Sequence, residues 1–159
     1  KARAVKRKHG KLGLIVVDHM GLTTGTDRKA NRNYQVAEVS GGMKALAKEL
    51  GCPVILLVQI SRTVDAREDP MPKLADLRDS GDIENDADIV IFVHRPIKNS
   101  PTLGDEWKNY AKVSVAKLRD GEPGYLDLYY AGENLHFVNW PATMEVPSNR
   151  ARTSRGGDL

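Results

Sequence analysis

"LGLIVVDHM", residues 12–20, places four aliphatic side chains, Leu14 to Val17, directly before the carboxylate of Asp18. A run of that kind reads as a buried strand. A carboxylate left unpaired in a core costs several kcal/mol, so Asp18 is expected at the strand's exit, where it caps a turn or holds a cation.

Working outward, two more unalternating apolar runs occur at residues 53–58 (PVILLV) and 89–93 (IVIFV). Such runs are expected of strands buried on both faces of a parallel sheet. Between the first two lies YQVAEVSGGMKALAKELG, residues 34–51, with Val36, Val39, Met43, Leu46, Ala47 and Leu50 at helical spacing and Gly51 suited to a left-handed stop. Gly41 and Gly42 each cost about 1 kcal/mol relative to alanine inside that helix, so it leans on packing. Strand, helix and strand form one βαβ unit, expected to cross over right-handed. Residues 61–88 are polar, contain Pro70 and Pro72, and carry nine acids against three bases from Asp65 to Asp88. A loop with one or two short helical turns is expected there. After the third run, KVSVAKLR (112–119), YLDLYYA (125–131) and NLHFVNW (134–140) alternate between Gly-bearing turns, as hairpins do. The chain therefore reads as α/β, with a parallel centre and an antiparallel C-terminal edge.

The length of 159 residues suits one domain. The net charge of +3 conceals an uneven distribution. Residues 1–11 carry six Lys/Arg and no acid, and residues 141–159 three Arg against two acids, which leaves 15 basic and 19 acidic residues in 12–140. Both ends are read as solvated tails, with phosphate contact the sharper alternative. Cys52, the single cysteine, lies in an apolar run and is expected as a small core residue, in keeping with a reducing interior. No run approaches the ~18 apolar residues of a membrane span, so a soluble, cytoplasmic protein is expected.

The second run strengthens the reading of the first. "VILLVQISR", residues 54–62, again passes from apolar residues to a polar cluster with Gln59 and Arg62. Sites in open α/β sheets form at the carboxyl ends of strands. A Gln there could orient a water or sense a phosphate; it could equally satisfy loop backbone.

"SGGMKALAKELGCPVILLVQISR" (40–62), "DLRDSGDIENDADIVIFVHR" (76–95) and "VAKLRDGEPG" (115–124) together closely resemble the C-terminal motor domain of the replicative hexameric DNA helicases, the DnaB family, over roughly residues 12–140. The resemblance implies a RecA-like P-loop NTPase core using ATP and Mg2+. It implies that Asp18 is the Walker B magnesium ligand and that Gln59 couples the γ-phosphate to the DNA loops. Lys117 and Arg119 look like the pair that reaches the neighbouring subunit's nucleotide, a role that suits the always-charged, forked guanidinium. Arg78, Asp79 and Gly81 resemble the central-channel loop that meets single-stranded DNA. The surrounding acids are expected to cap short helices or pair within the loop. The implied partners are single-stranded DNA, five further copies in a hexamer, and replication proteins such as primase or a loader.

The glycine-rich G-x-x-x-x-G-K-[ST] cradle and a candidate general-base Glu do not occur in these residues, and His19 stands where the family often has an aromatic. The chain is therefore expected to be the second half of a motor and not to hydrolyse ATP alone. Rival readings are a RecA-like recombinase or repair ATPase, a non-catalytic single-strand binding module, and a structural domain. The Lys117-x-Arg119 spacing and the DLRDSGD loop favour the helicase. An aromatic content of 6% disfavours a binding module that stacks bases.

Overall fold

A computed structural model describes residues 1–20, 31–67 and 69–148, with the side chains of residues 32, 62 and 78–82 outside the description. The basic N-terminus, expected as a tail, instead forms helix α1, Ala2–His9. Four of its basic residues, Lys6 to His9, crowd the last turn, where the helix dipole favours cations, and Gly10 closes it at φ 74°. Tertiary contacts then hold it: Arg3 Nε and Nη2 donate to the Glu49 carboxylate at 2.8 and 2.7 Å, and Lys6 Nζ donates to the Leu50 carbonyl at 2.7 Å.

Strand β1, Ile15–Val17, pairs in parallel with β2, Val54–Leu56, in the register Ile15↔Val54 to Val17↔Leu56. Helix α2, Arg32–Leu50, connects them. Its N-cap is Asn31, whose side chain accepts from the Asn33 amide at 2.7 Å. Gly51 ends it at φ 58°, in the left-handed stop position expected of it. Residues 61–88 hold two 3-10 segments, Arg62–Ala66 and Leu74–Ser80, and then helix α3, Gly81–Asp86.

The third apolar run departs from expectation. It forms β3, Ile89–His94, which pairs not with β1 or β2 but antiparallel with β4, Tyr110–Leu118. The short helix α4, Pro96–Asn99, lies between these two strands. Beyond β4 follow β5, Gly124–Ala131, and β6, His136–Asn139, giving a sheet β3-β4-β5-β6 beside the two-stranded β1-β2. Nor are the three apolar strands covered on both faces. β3 alternates, with Val90, Phe92 and His94 buried and Ile91 56% exposed; Val16 in β1 is equally exposed.

The main core joins Met20, Val36, Leu77, Ile83, Val90 and Phe92, with Leu56, Val58 and Ile60 packed against it. It thus lies between one face of the strands and α2, α3 and the second 3-10 segment. A second cluster is aromatic: Tyr110 meets Trp107 and Trp140 edge-on, each at 5.4 Å between ring centroids. The Tyr110 hydroxyl donates to Asp127 at 2.6 Å, and burial together with that carboxylate raises its pKa. Cys52 is buried, as expected.

Candidate functional site

Asp18 follows β1 immediately and is exposed. The Asp18–His19 peptide is cis. Past the strand ends the backbones stay linked, Leu57 N–H donating to Val17 O at 3.0 Å and Met20 N–H to Leu57 O at 2.8 Å. The parallel register therefore brings Asp18 and Gln59, which is also exposed, out at one carboxyl edge. No described residue pairs with the Asp18 carboxylate. One free carboxylate at a strand edge fits a magnesium ion, which is commonly held by one or two carboxylates plus substrate phosphates and keeps much of its water. Among the described residues no cluster of three or more ligating side chains offers an all-protein cage.

The carboxyl end of β3 borders a cleft that reaches the residues flanking Gln59 but is lined by neither Gln59 nor Asp18. This open cleft of about 410 Å³ is lined by Val58 and Ile60 beyond β2, by His94 and Arg95 at the end of β3, and by Asp65 and Lys98. Arg95 is not among the candidate residues that the sequence motifs name. Its guanidinium carbon lies 3.6 Å from the centroid of the Tyr130 ring, and Nη2 donates to the Lys108 carbonyl at 3.3 Å. Its Nε is buried without a hydrogen-bond partner among the described residues. The signal was present in "IFVHR", a third apolar run ending in a polar pair, like "IVVDH" and "LLVQ".

Lys117 and Arg119 sit elsewhere. β4 is antiparallel to β3, with Lys117 opposite Val90 and Leu118 opposite Ile89, so the pair lies at the start of β3 and not at the cleft end. Six residues of strand span roughly 20 Å. There Lys117 Nζ donates to the Glu84 carbonyl of α3, and Arg119 Nε pairs with Asp88 at 2.8 Å. The structure accordingly brings Asp18 and Gln59 together and keeps Lys117 and Arg119 apart from them.

The backbone of Arg78 and Asp79 ends the second 3-10 segment and Gly81 opens α3, while their side chains fall outside the described ones. Two neighbouring acids pair within the loop, as expected: Asp76 is ion-paired with Arg67 and accepts from the Lys73 amide at 2.8 Å, and Asp69 meets Lys73 at 3.2 Å. Asp65 instead accepts from Asn99 of α4 at 2.6 Å.

Residues 1–139 match the family model described as the DnaB-like helicase C terminal domain. The chain belongs to that family. Among curated relatives of this DnaB-like domain, the replicative DNA helicase DnaB of Rickettsia typhi is 42% identical over 154 residues, covering 87% of this chain and 31% of the relative. The DnaB of Geobacillus stearothermophilus is 44% identical over 140 residues, covering 87% and 30%. A solved ATPase domain superposes with a TM-score of 0.80 at 37% identity, covering 88% of this chain and 49% of that one. A DnaB-like replicative helicase, solved in a study of its interactions with primase, gives 0.79 at 37% identity, covering 87% and 33%. The fold is thus that of the RecA-like α/β ATPase domains, and the chain spans about a third of the length of the curated relatives it matches. Helix α1 falls inside the matched range.

Proposed function

We propose that this DnaB-like domain is part of an ATP-dependent replicative DNA helicase that unwinds duplex DNA by moving along one strand in the cytoplasm. Residues 12–140 form the C-terminal half of the ATPase domain in this reading, flanked by 1–11 and 141–159. The observation that carries it is the separation of two polar pairs that lie on different sheets. Asp18 and Gln59 share a carboxyl edge, while Lys117 and Arg119 stand at the start of β3. Groups so separated cannot act on one nucleotide within a chain. They can act together across a head-to-tail interface that closes into a ring, the hexamer that the family resemblance implies.

At such an interface Asp18 would hold Mg2+ and Gln59 would hydrogen-bond on the γ-phosphate side. Lys117 and Arg119 of the adjoining copy neutralise charge that develops in phosphoryl transfer. When bound, the metal and nucleotide supply the phosphoryl chemistry itself. Arg78, Asp79 and Gly81 meet the single strand through main-chain and phosphate contacts. Primase or a loader would engage the assembled ring, and this chain by itself would not turn over ATP.

In the full-length protein Arg119→Ala is expected to keep nucleotide affinity and to lose about 10³-fold or more in kcat, because the finger acts in the transition state. Asp18→Asn is expected to lose turnover independently. Mixed rings of the two variants should regain turnover that neither has alone, since some interfaces then carry both intact groups. Unchanged turnover in Arg119→Ala, or no recovery on mixing, removes this reading.

A further inference from the structure

We propose that Asp88 is the positioning residue for Arg119, a role that rests on the finger reading of Arg119 just given. Arg119 lies one residue past β4, and its contacts converge on one place. Its backbone N–H donates to the Asp88 carbonyl at 2.9 Å, its Nε pairs with Asp88 Oδ1 at 2.8 Å, and its Nη2 reaches the Asn85 carbonyl at 3.5 Å. The Nε and Nη2 edge of the guanidinium is thereby turned toward the end of α3. The side chain as a whole remains 51% exposed.

Asp88 is itself held. Its second oxygen, Oδ2, pairs with Lys44 Nζ from α2. The carboxylate is therefore tethered to α2 and to β4 at once, and neither oxygen is left to swing. Lys44 lies two turns before the end of α2, on the helix that contacts α3 most extensively. Asp88 and Arg119 each lie one residue outside β3 and β4, and Lys44 ties that junction to the packed frame.

The charges also suit a phosphate. Lys44, Arg119 and Lys117 all act on the one Asp88 carboxylate, Lys117 while donating to the neutral Glu84 carbonyl, so the three cations around it keep a net positive charge. An exposed ion pair contributes little to folding. What the pair does supply is order: a long flexible side chain is aimed before the nucleotide arrives, so less freedom is lost when charge develops in the transition state.

The test is a double-mutant cycle on ATP turnover in the full-length protein, joined to a measurement on the arginine itself. Asp88→Asn is expected to lower kcat roughly 10- to 100-fold with little change in the KM for ATP, the size typical of a misplaced catalytic group. In the Arg119→Ala background the same change is expected to alter kcat less than about 2-fold, because Asp88 acts only through Arg119. Without nucleotide, the Arg119 Nε–H should exchange with water about 10-fold more slowly by NMR than exposed arginines do, and Asp88→Asn should abolish that protection. Should Asp88→Asn fail to fold, Lys44→Gln removes the second tether and is expected to give the same pattern at smaller size. Equal losses in both backgrounds, or an Nε–H that exchanges freely in the unaltered protein, overturn the proposal and leave the finger intact. Turnover that survives Arg119→Ala alone removes the finger reading and this proposal with it.

Discussion

His94 is buried at the end of β3, and the other three histidines are not. Burial holds its pKa below the usual histidine value, and the attraction of Asp69 and Asp65 only partly opposes this. The folded state therefore takes up a proton less readily than the unfolded chain. The stability of the neutral form is intact above the unfolded value of about 6.5 and is lost as pH falls below it toward the folded value. The urea midpoint is expected to drop between about pH 7.5 and about pH 5.5, and to drop less in His94→Gln; equal slopes would show that other groups set the acid limit. At this scale the shared edge position of Asp18 and Gln59 was legible, because apolar runs ending in polar residues mark a sheet's carboxyl edge. Arg95 carried the same mark at the end of β3 but gained meaning only from Tyr130, 35 positions away in the chain, which no local pattern joins to it.

Helix α2 follows its sequence closely because cap, periodicity and left-handed stop all agree. Its weak point is also visible. A Cβ at Gly42 would meet nothing within 4 Å, and one at Gly41 would touch only Asp86 at an ordinary 3.8 Å. Gly42→Ala is expected to stabilise the chain by about 1 kcal/mol through helix propensity, raising the melting temperature by a few degrees. No gain would mean that the glycine pair serves a neighbour on that face. Helix α1 was illegible for the opposite reason. Its sequence is basic without an apolar stripe, and what orders it, Glu49 and the Leu50 carbonyl, lies more than 40 residues away. β3 was misplaced because its outward residues Ile89, Ile91 and Val93 are as apolar as its inward ones, which hid the alternation of an antiparallel strand.

The described residues form two small sheets that leave apolar side chains exposed. Val16 on β1, Ile55 on β2 and Ile89, Ile91 and Val93 on β3 are all about half exposed. α/β strands normally pack helices on both faces, and patches of this kind mark surfaces that another element covers. Studied as these 159 residues, the chain is expected to bind a hydrophobic dye and to self-associate. Ile91→Lys should reduce both while shifting stability by no more than about 0.5 kcal/mol. Unfolding by that substitution would show that the face is already buried in solution. This feature could not be read ahead, since an apolar run looks the same whether its second face is covered or bare.

The aromatic cluster has an optical consequence. Both tryptophans of the chain, Trp107 and Trp140, flank Tyr110 beside β4 and β5, whereas the sole cysteine, Cys52, is buried between α2 and β2. Intrinsic fluorescence therefore watches one sheet and thiol labelling the other. If emission and labelling change at one denaturant concentration, the halves melt as a single cooperative unit; if labelling runs ahead, the βαβ half opens first while the hairpins stay closed.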